Sequence, residues 1–388
     1  MSRGISRTSA SFDRCASGSS LSRRITTSEI TMFGLTRKNS PLLGIDISTT
    51  AIKLVELSRI AATPVPRFRV EHYAIEPLPS AAIVEKKIVD HEVVGDGIRR
   101  ALLKSGTKTK RAAVALAGAA VITKIITLPA ALKEAEMESQ IQLDADQYIP
   151  YPLEEVNLDF SVLGPSPNAP ELVEVLLAAS RRENVDDRIS VLEIAGLTPL
   201  VVDVEAYAME HACSMLLGVK GEGKDAPILG VVDVGASTTT LHVFNEGRIM
   251  YTREQNFGGR QLREEVQRRY GLTDEQAAQK IRAGDVADTY EIEVLNPFKE
   301  ALAQQIGRAL QFFYSGTTFS NVDRILLAGG AASLPRIDAL VEERLRIPTT
   351  VANPFGQMSF APRVNSQSLM REAPGMMVAV GLALRGFD

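Results

Sequence analysis

Asp46 and Asp233 stand in two stretches of the chain that nearly repeat one another. LLGIDISTTAIKLVEL (42–57) and ILGVVDVGASTTTLHVF (228–244) each run through apolar residues to an aspartate, then a cluster of small hydroxyl residues, then a second apolar run. A carboxylate at a strand end can hold Mg²⁺ through its water shell, and short Ser/Thr/Gly turns expose N–H groups and hydroxyls to phosphate oxygens. Ser48 and Thr49 fall in the first turn; Gly235, Ala236, Ser237 and Thr238 fall in the second. Lys53 lies seven residues beyond Asp46, on the strand leaving the first turn, where its ammonium reaches a phosphate; the second turn has Gly235 in place of a lysine. RILLAGGAASLPRIDALVEERL (324–345) reads as a buried strand, a Gly329–Gly330 turn and a helix with its amino end at the turn. Glycines there let a base or ribose lie close, and the helix end favours phosphate.

Each piece alone is an ordinary strand with a capping turn; the repetition argues for more. Strands buried on both faces read as continuous apolar runs, as these do. The second copy turns at Asn245-Glu246-Gly247 and returns as RIMYTREQ, a hairpin signal. The first continues into IKLVELSRI and FRVEHYAIEPL. Two related halves facing each other across a cleft would grip one ligand from both sides.

At 388 residues the chain predicts two or more folded units. A net charge of −4 supplies no general field for nucleic acid or an anionic membrane. Two cysteines exclude a disulfide framework, and no run reaches the roughly 20 apolar residues that span a bilayer. Residues 1–31, rich in Ser, Thr and Arg, lack the apolar core of a secretory signal and read as disordered, with Met32 as an alternative start. His72, His91, His211 and His242 show no metal spacing. REEVQRRYG reads as a solvated helix face, and FGQMSFAPRVNSQSL (355–369) as a long surface loop.

The three signatures resemble the actin-like ATPase superfamily, with 43–53 and 229–239 in the place of its phosphate motifs and 325–331 in that of its adenosine motif. The resemblance implies an α/β actin-like ATPase fold: two RNase H-like lobes around a nucleotide cleft, ATP and Mg²⁺ as cofactors, and Asp46 and Asp233 on the metal side. Lys53, Ser48, Thr49, Gly235, Ala236, Ser237, Thr238, Gly329 and Gly330 become nucleotide ligands. DVEAYAMEHA (203–212) takes the place of a connecting helix, with Glu205 as the water-positioning catalytic residue. NFGGRQLREEVQRRYGLTDEQAAQKIRAG (256–284) resembles the nucleotide-side subdomain of FtsA; Gly258 and Gly259 would cap its helix, Gln279 stands where relatives carry a ribose-binding Glu, and the resemblance implies that all three bind ATP.

KRAAVALAGAAVITKIITLP (110–129) reads as two short strands, the following segment through QYIPYPLEEVNLDF (147–160) begins with helical periodicity, and VEVLLAAS (173–180) is another strand. This segment resembles the PilM family of type IV pilus assembly proteins, over about 42–388. That resemblance implies a cytoplasmic, ATP-binding adaptor, peripheral at the inner membrane through its partners, with an FtsA/PilM-type inserted α+β subdomain whose groove receives the amino-terminal peptide of a PilN-type inner-membrane protein. Val121, Lys124 and Tyr148 are candidate peptide contacts. It also implies contacts with other pilus motor-complex proteins, no nucleic acid, no direct membrane insertion, weak or absent ATP hydrolysis, and allows an oligomer.

The expected division is a tail over 1–40, lobe I over 41–107, the insert over 108–199, the connecting helix over 200–226, lobe II over 227–256, the nucleotide-side subdomain over 257–320, the rest of lobe II over 321–372, and a helix closing lobe I over 373–388. An FtsA-like filament-forming ATPase or membrane-anchored scaffold is the alternative, but the apolar end GMMVAVGLALRGFD suits a core rather than an amphipathic anchor. A chaperone would need a further domain, and a sugar kinase a carboxylate base where the turns offer hydroxyl residues.

Overall fold

The computed structural model describes residues 23–24, 41–61, 67–167, 169–217 and 227–388. The alternative start at Met32 lies outside them. Of the tail, only β1 (Arg23–Arg24) is described, as an antiparallel edge strand.

β2 (Leu43–Ile47), β3 (Ala51–Ala61) and β4 (Arg67–Pro77) form an antiparallel meander. A small hairpin, β5 (Ile83–Val84) and β6 (Lys87–Ile88), leads to α1 (His91–Ser105). Asp90 caps α1 by accepting the Val93 N–H at 3.0 Å, and Gly106, at φ 67°, ends it. β7 (Arg111–Leu116) then enters the same sheet parallel to β2. The chain leaves for β8 (Val121–Pro129), α2 (Glu134–Asp144), β9 (Val156–Ser166) and β10 (Ala169–Arg181), a separate antiparallel sheet ordered β8-β10-β9. Met137 and Ile141 of α2 pack there on Ile126, Leu128, Val175 and Leu177. It returns through α3 (Arg182–Ile194), β11 (Thr198–Val204), parallel to β7, and α4 (Glu205–Leu217).

The insert is therefore narrower than the expected 108–199. After the exposed Arg111, Ala112–Leu116 of β7 are apolar and buried on both faces, which suits a central parallel strand, and α3 packs beside α1 on the lobe I core. Only Val121–Arg181 builds the separate unit. Residues 200–204 likewise belong to β11, so the connecting helix starts at Glu205.

Lobe II repeats the plan. β12 (Leu229–Val234), β13 (Thr239–Asn245) and β14 (Arg248–Gln255) form a second meander; α5 (Gly259–Tyr270), α6 (Asp274–Ala283) and α7 (Asn296–Gly316) follow, then β15 (Arg324–Ala328), α8 (Ile337–Leu345) and β16 (Thr349–Val351). The order β14-β13-β12-β15-β16 matches β4-β3-β2-β7-β11 strand for strand, the last three parallel and the second antiparallel to both its neighbours in each. Leu262, Val266, Ala277 and Phe298 give α5–α7 a core of their own.

The chain then recrosses to lobe I. β17 (Ser359–Phe360) adds a parallel edge strand to β4, and α9 (Ser366–Glu372) and α10 (Met377–Leu384) follow. The surface loop expected over 355–369 is thus corrected: Phe355, Met358 and Leu369 are buried against Val55, Leu57 and Val70 and seal the open sheet edge. α10 is buried along its whole length, as the apolar end of the chain predicts. At Gly381 a Cβ would stand 1.8 Å from the Ala208 carbonyl oxygen, so only glycine lets α10 cross α4 this closely.

Candidate functional site

Because both sheets share one plan, the carboxyl ends of their parallel strands meet across the gap between the lobes. Asp46 is the penultimate residue of β2, Glu205 follows β11 directly, Asp233 is penultimate in β12, and Gly329 follows β15. Ligands of open α/β sheets lie beyond these ends. The four nominated groups Asp46, Asp233, Lys53 and Glu205 are brought together. Lys53, opposite Asp46 in the β2–β3 register, places its Nζ 2.9 Å from Asp46 Oδ2. Burial alone would lower this ammonium's pKa, but Asp46, with Asp233 and Glu205 farther off, raises it above the ordinary value. Asp233 is pushed up by burial and by Asp46, with Lys53 opposing. Burial drives Glu205 up to about 7, with Lys86 opposing and both aspartates adding.

The two turns are built differently. Ser48 directs both its N–H and its hydroxyl to the Ala51 carbonyl, at 3.1 and 2.8 Å; Thr49 beside it is half-buried. In the second turn the Gly235 N–H donates to the Thr238 carbonyl at 2.9 Å, and the carbonyls of Gly235 and Ala236 accept from Gly259 and Arg260 at the start of α5. Gly258 is the N-cap of α5, its N–H held by Gln261 Oε1 at 2.7 Å, as the sequence suggests. The buried Ser237 hydroxyl has no partner among the described residues. Gly329 has φ 88°, and a Cβ there would stand 2.4 Å from Asp233 Oδ1, so glycine alone fits beside the carboxylate.

Two expectations change. The helix after Gly329–Gly330 does not start at the turn: a 3₁₀ turn spans Gly330–Ser333, and Pro335, which bars helix at the residue before it, delays α8 to Ile337. The counterpart of Lys53 is Thr240, which faces Asp233 in register, rather than Gly235. Gln279 is exposed on α6. Among the described residues no three His, Cys, Asp or Glu side chains stand close enough to hold a metal by themselves. Two aspartates lining a polar gap suit a hydrated Mg²⁺ that keeps its waters and takes further ligands from phosphate.

Three charged residues escaped the sequence reading. Lys86, at the β5–β6 turn, is ion-paired with Glu254 of β14 and lies 4.0 Å from Glu205. Arg188 of α3 is buried and donates to the carbonyls of Ala115 at 3.2 Å and Lys86 at 3.4 Å. Glu254 faces Thr240 just as Ile75 faces Lys53, so aligning the two halves would have singled it out. Lys86 carries no such signal, since its strands are two residues long. On the insert, the Lys124 ammonium lies 5.7 Å from the Tyr148 ring centroid, and Val121 is half-buried opposite Ser180. A groove of about 540 Å³ runs between α2 and β9, lined by Lys133, Glu138, Ile141, Leu158 and Phe160.

Two lobes of one strand order, meeting at their carboxyl ends and closed by α10, define an actin-like ATPase fold. Residues 44–387 match the family model of the type IV pilus assembly protein PilM, and the chain belongs to that family. It is similar to a chain of the solved PilM-PilN type IV pilus biogenesis complex, 28% identical over 90% of this chain and 100% of that one, with a TM-score of 0.74. The ethanolamine utilization protein EutJ from Carboxydothermus hydrogenoformans shares the fold, at 17% identity over 89% of each chain and a TM-score of 0.53. No helix among the described residues is long and apolar enough to cross a membrane.

Proposed function

We propose that this chain binds ATP with Mg²⁺ between its lobes and acts as an adaptor in type IV pilus assembly, receiving the amino-terminal cytoplasmic peptide of a PilN-type inner-membrane protein on its insert. The observation that carries the nucleotide reading is the convergence of Asp46, Lys53, Asp233 and Glu205 at the carboxyl ends of two matched sheets, beside a turn whose buried Ser237 hydroxyl lacks a partner among the described residues. Asp46 and Asp233 would hold the hydrated Mg²⁺, which neutralises phosphate charge. Lys53 pairs with phosphate oxygens, the 235–238 turn offers N–H groups and hydroxyls, and Gly329 leaves room for the nucleoside. Glu205, pushed up to about 7 by burial, is half-ionised at pH 7 and has the pKa of a usable base; because an ATP that locks the two lobes needs no turnover, we infer binding with weak or absent hydrolysis.

The partner reading is supported by family membership and by the solved complex named for PilM and PilN. An extended peptide suits a site edged by strands, and Lys124 with Tyr148 offers a cation and an aromatic face there. The deciding experiment is a pull-down with a peptide from the amino terminus of a PilN-type protein, alongside melting with and without Mg-ATP. At about 100 times Kd, nucleotide should add roughly 2.7 kcal/mol of stability, and Lys53→Ala should remove most of it. Equal melting of wild type and variant in both conditions would refute the site; no capture of the peptide would refute the adaptor role.

A further inference from the structure

Lys86 is presented in an unusual way. Glu85 and Lys86 form the two-residue turn between β5 and β6, and both have left-handed backbone, at φ 49° and 65°. Asn-Gly would serve such a turn with less strain, and consecutive non-glycine residues hold this conformation only where their surroundings impose it. Arg188, buried on α3, does so by donating to the Lys86 carbonyl. The turn therefore presents a long cation, and that cation points away from its own lobe. Its ammonium pairs with Glu254 of lobe II and approaches Glu205, with its side chain only 22% exposed. Burial opposes its charge, but Glu205, Glu254 and Asp233 keep it protonated.

We propose that Lys86 distinguishes a nucleoside triphosphate from a diphosphate in this cleft, exchanging Glu254 for the terminal phosphate. The inference rests on the nucleotide reading above. Gly329 marks the nucleoside side, on lobe II, so a polyphosphate laid from there across the 235–238 turn ends towards lobe I. Besides Lys53, the cation at this junction is Lys86, beside Glu205 and Glu254, held ready by a carboxylate that a more highly charged phosphate displaces. Because the Lys86–Glu254 pair joins the lobes, the exchange also releases a tie between them.

The test is calorimetric binding of Mg-ATP and Mg-ADP to the full chain as wild type, Lys86→Gln, Lys86→Arg and Glu254→Gln, with circular dichroism to check folding. Lys86→Gln should weaken ATP about 10- to 100-fold, the worth of one charge-assisted contact, while ADP changes by less than about threefold. Lys86→Arg should restore most of the ATP affinity, and Glu254→Gln, by removing the competitor, should raise the ATP-to-ADP preference. An unchanged ratio in both Lys86→Gln and Glu254→Gln overturns the proposal while leaving nucleotide binding intact. Should Lys86→Gln not fold, an unchanged ratio in Glu254→Gln alone overturns it. A wild type that binds neither nucleotide refutes the nucleotide reading itself, and the exchange with it.

Discussion

Burial turns single side chains of this protein into stability determinants. Arg385 Nε meets Asp203 Oδ2 at 2.6 Å, with side-chain exposures of only 6% and 0%. Among the described residues, the Val204 N–H is the other donor to Asp203, at 2.7 Å. Arg385→Ala would strand a buried carboxylate and should cost about 3–5 kcal/mol in denaturant unfolding; an Arg385→Gln/Asp203→Asn pair should cost less than the single change. Glu205 gives a pH signature. Its folded value of about 7 exceeds the ordinary 4.5, so between those values the folded state holds a proton that the unfolded state has lost, and stability falls as pH rises through the window. Glu205→Gln should gain on wild type from pH 5 to 7 and hold a constant lead above, on the order of 1 kcal/mol once solvent screening of a third-exposed side chain is allowed for. Melting temperatures without nucleotide check this, and a difference that stays flat with pH would refute it.

Elements with long uniform patterns were legible in the sequence; those fixed by partners were not. The runs around Asp46 and Asp233 announced two like sheets because strands buried on both faces have no polar face to interrupt them. The apolar end of the chain announced α10 for the same reason. β17 has two residues and is defined only by β4 beside it, so Ser359 and Phe360 looked like loop. Pro335 was visible, yet its delay of α8 was outweighed by the glycine pair before it. Lys86 joined the site through a hairpin too short to carry any period. Propensity also misleads at Gly381: replacing a mid-helix glycine by alanine usually stabilises by roughly 0.5–1 kcal/mol, but here the new Cβ meets the Ala208 carbonyl. Gly381→Ala should lower stability by about 1–3 kcal/mol, whereas Gly316→Ala at the end of α7, where a Cβ meets nothing, should be neutral or stabilising. Chemical denaturation of both variants separates packing from propensity.

Across the whole molecule, the cleft and the insert are linked through α4 and β14. α4 begins with Glu205 at the cleft, and its Tyr207 bonds Thr123 on β8 of the insert. Farther along α4, Glu210 accepts the Ile249 N–H of β14 at 2.7 Å, and Arg248 beside it donates to the Leu163 carbonyl on β9 at 3.2 Å. Lobe II therefore touches the insert directly, and a ligand that draws the lobes together must move one against the other or load these contacts. Under the proposed function, nucleotide and partner peptide are then coupled, and thermodynamic linkage makes the effect reciprocal. Mg-ATP should change the affinity for the PilN-type peptide about fivefold or more, and the peptide should change ATP affinity by the same factor. Arg248→Ala, which touches neither ligand, should shrink that factor while leaving ATP affinity without peptide within about twofold. Titrations of each ligand with and without the other measure all four terms. Identical peptide affinities in the presence and absence of Mg-ATP would mean that nucleotide serves only to hold the two lobes together.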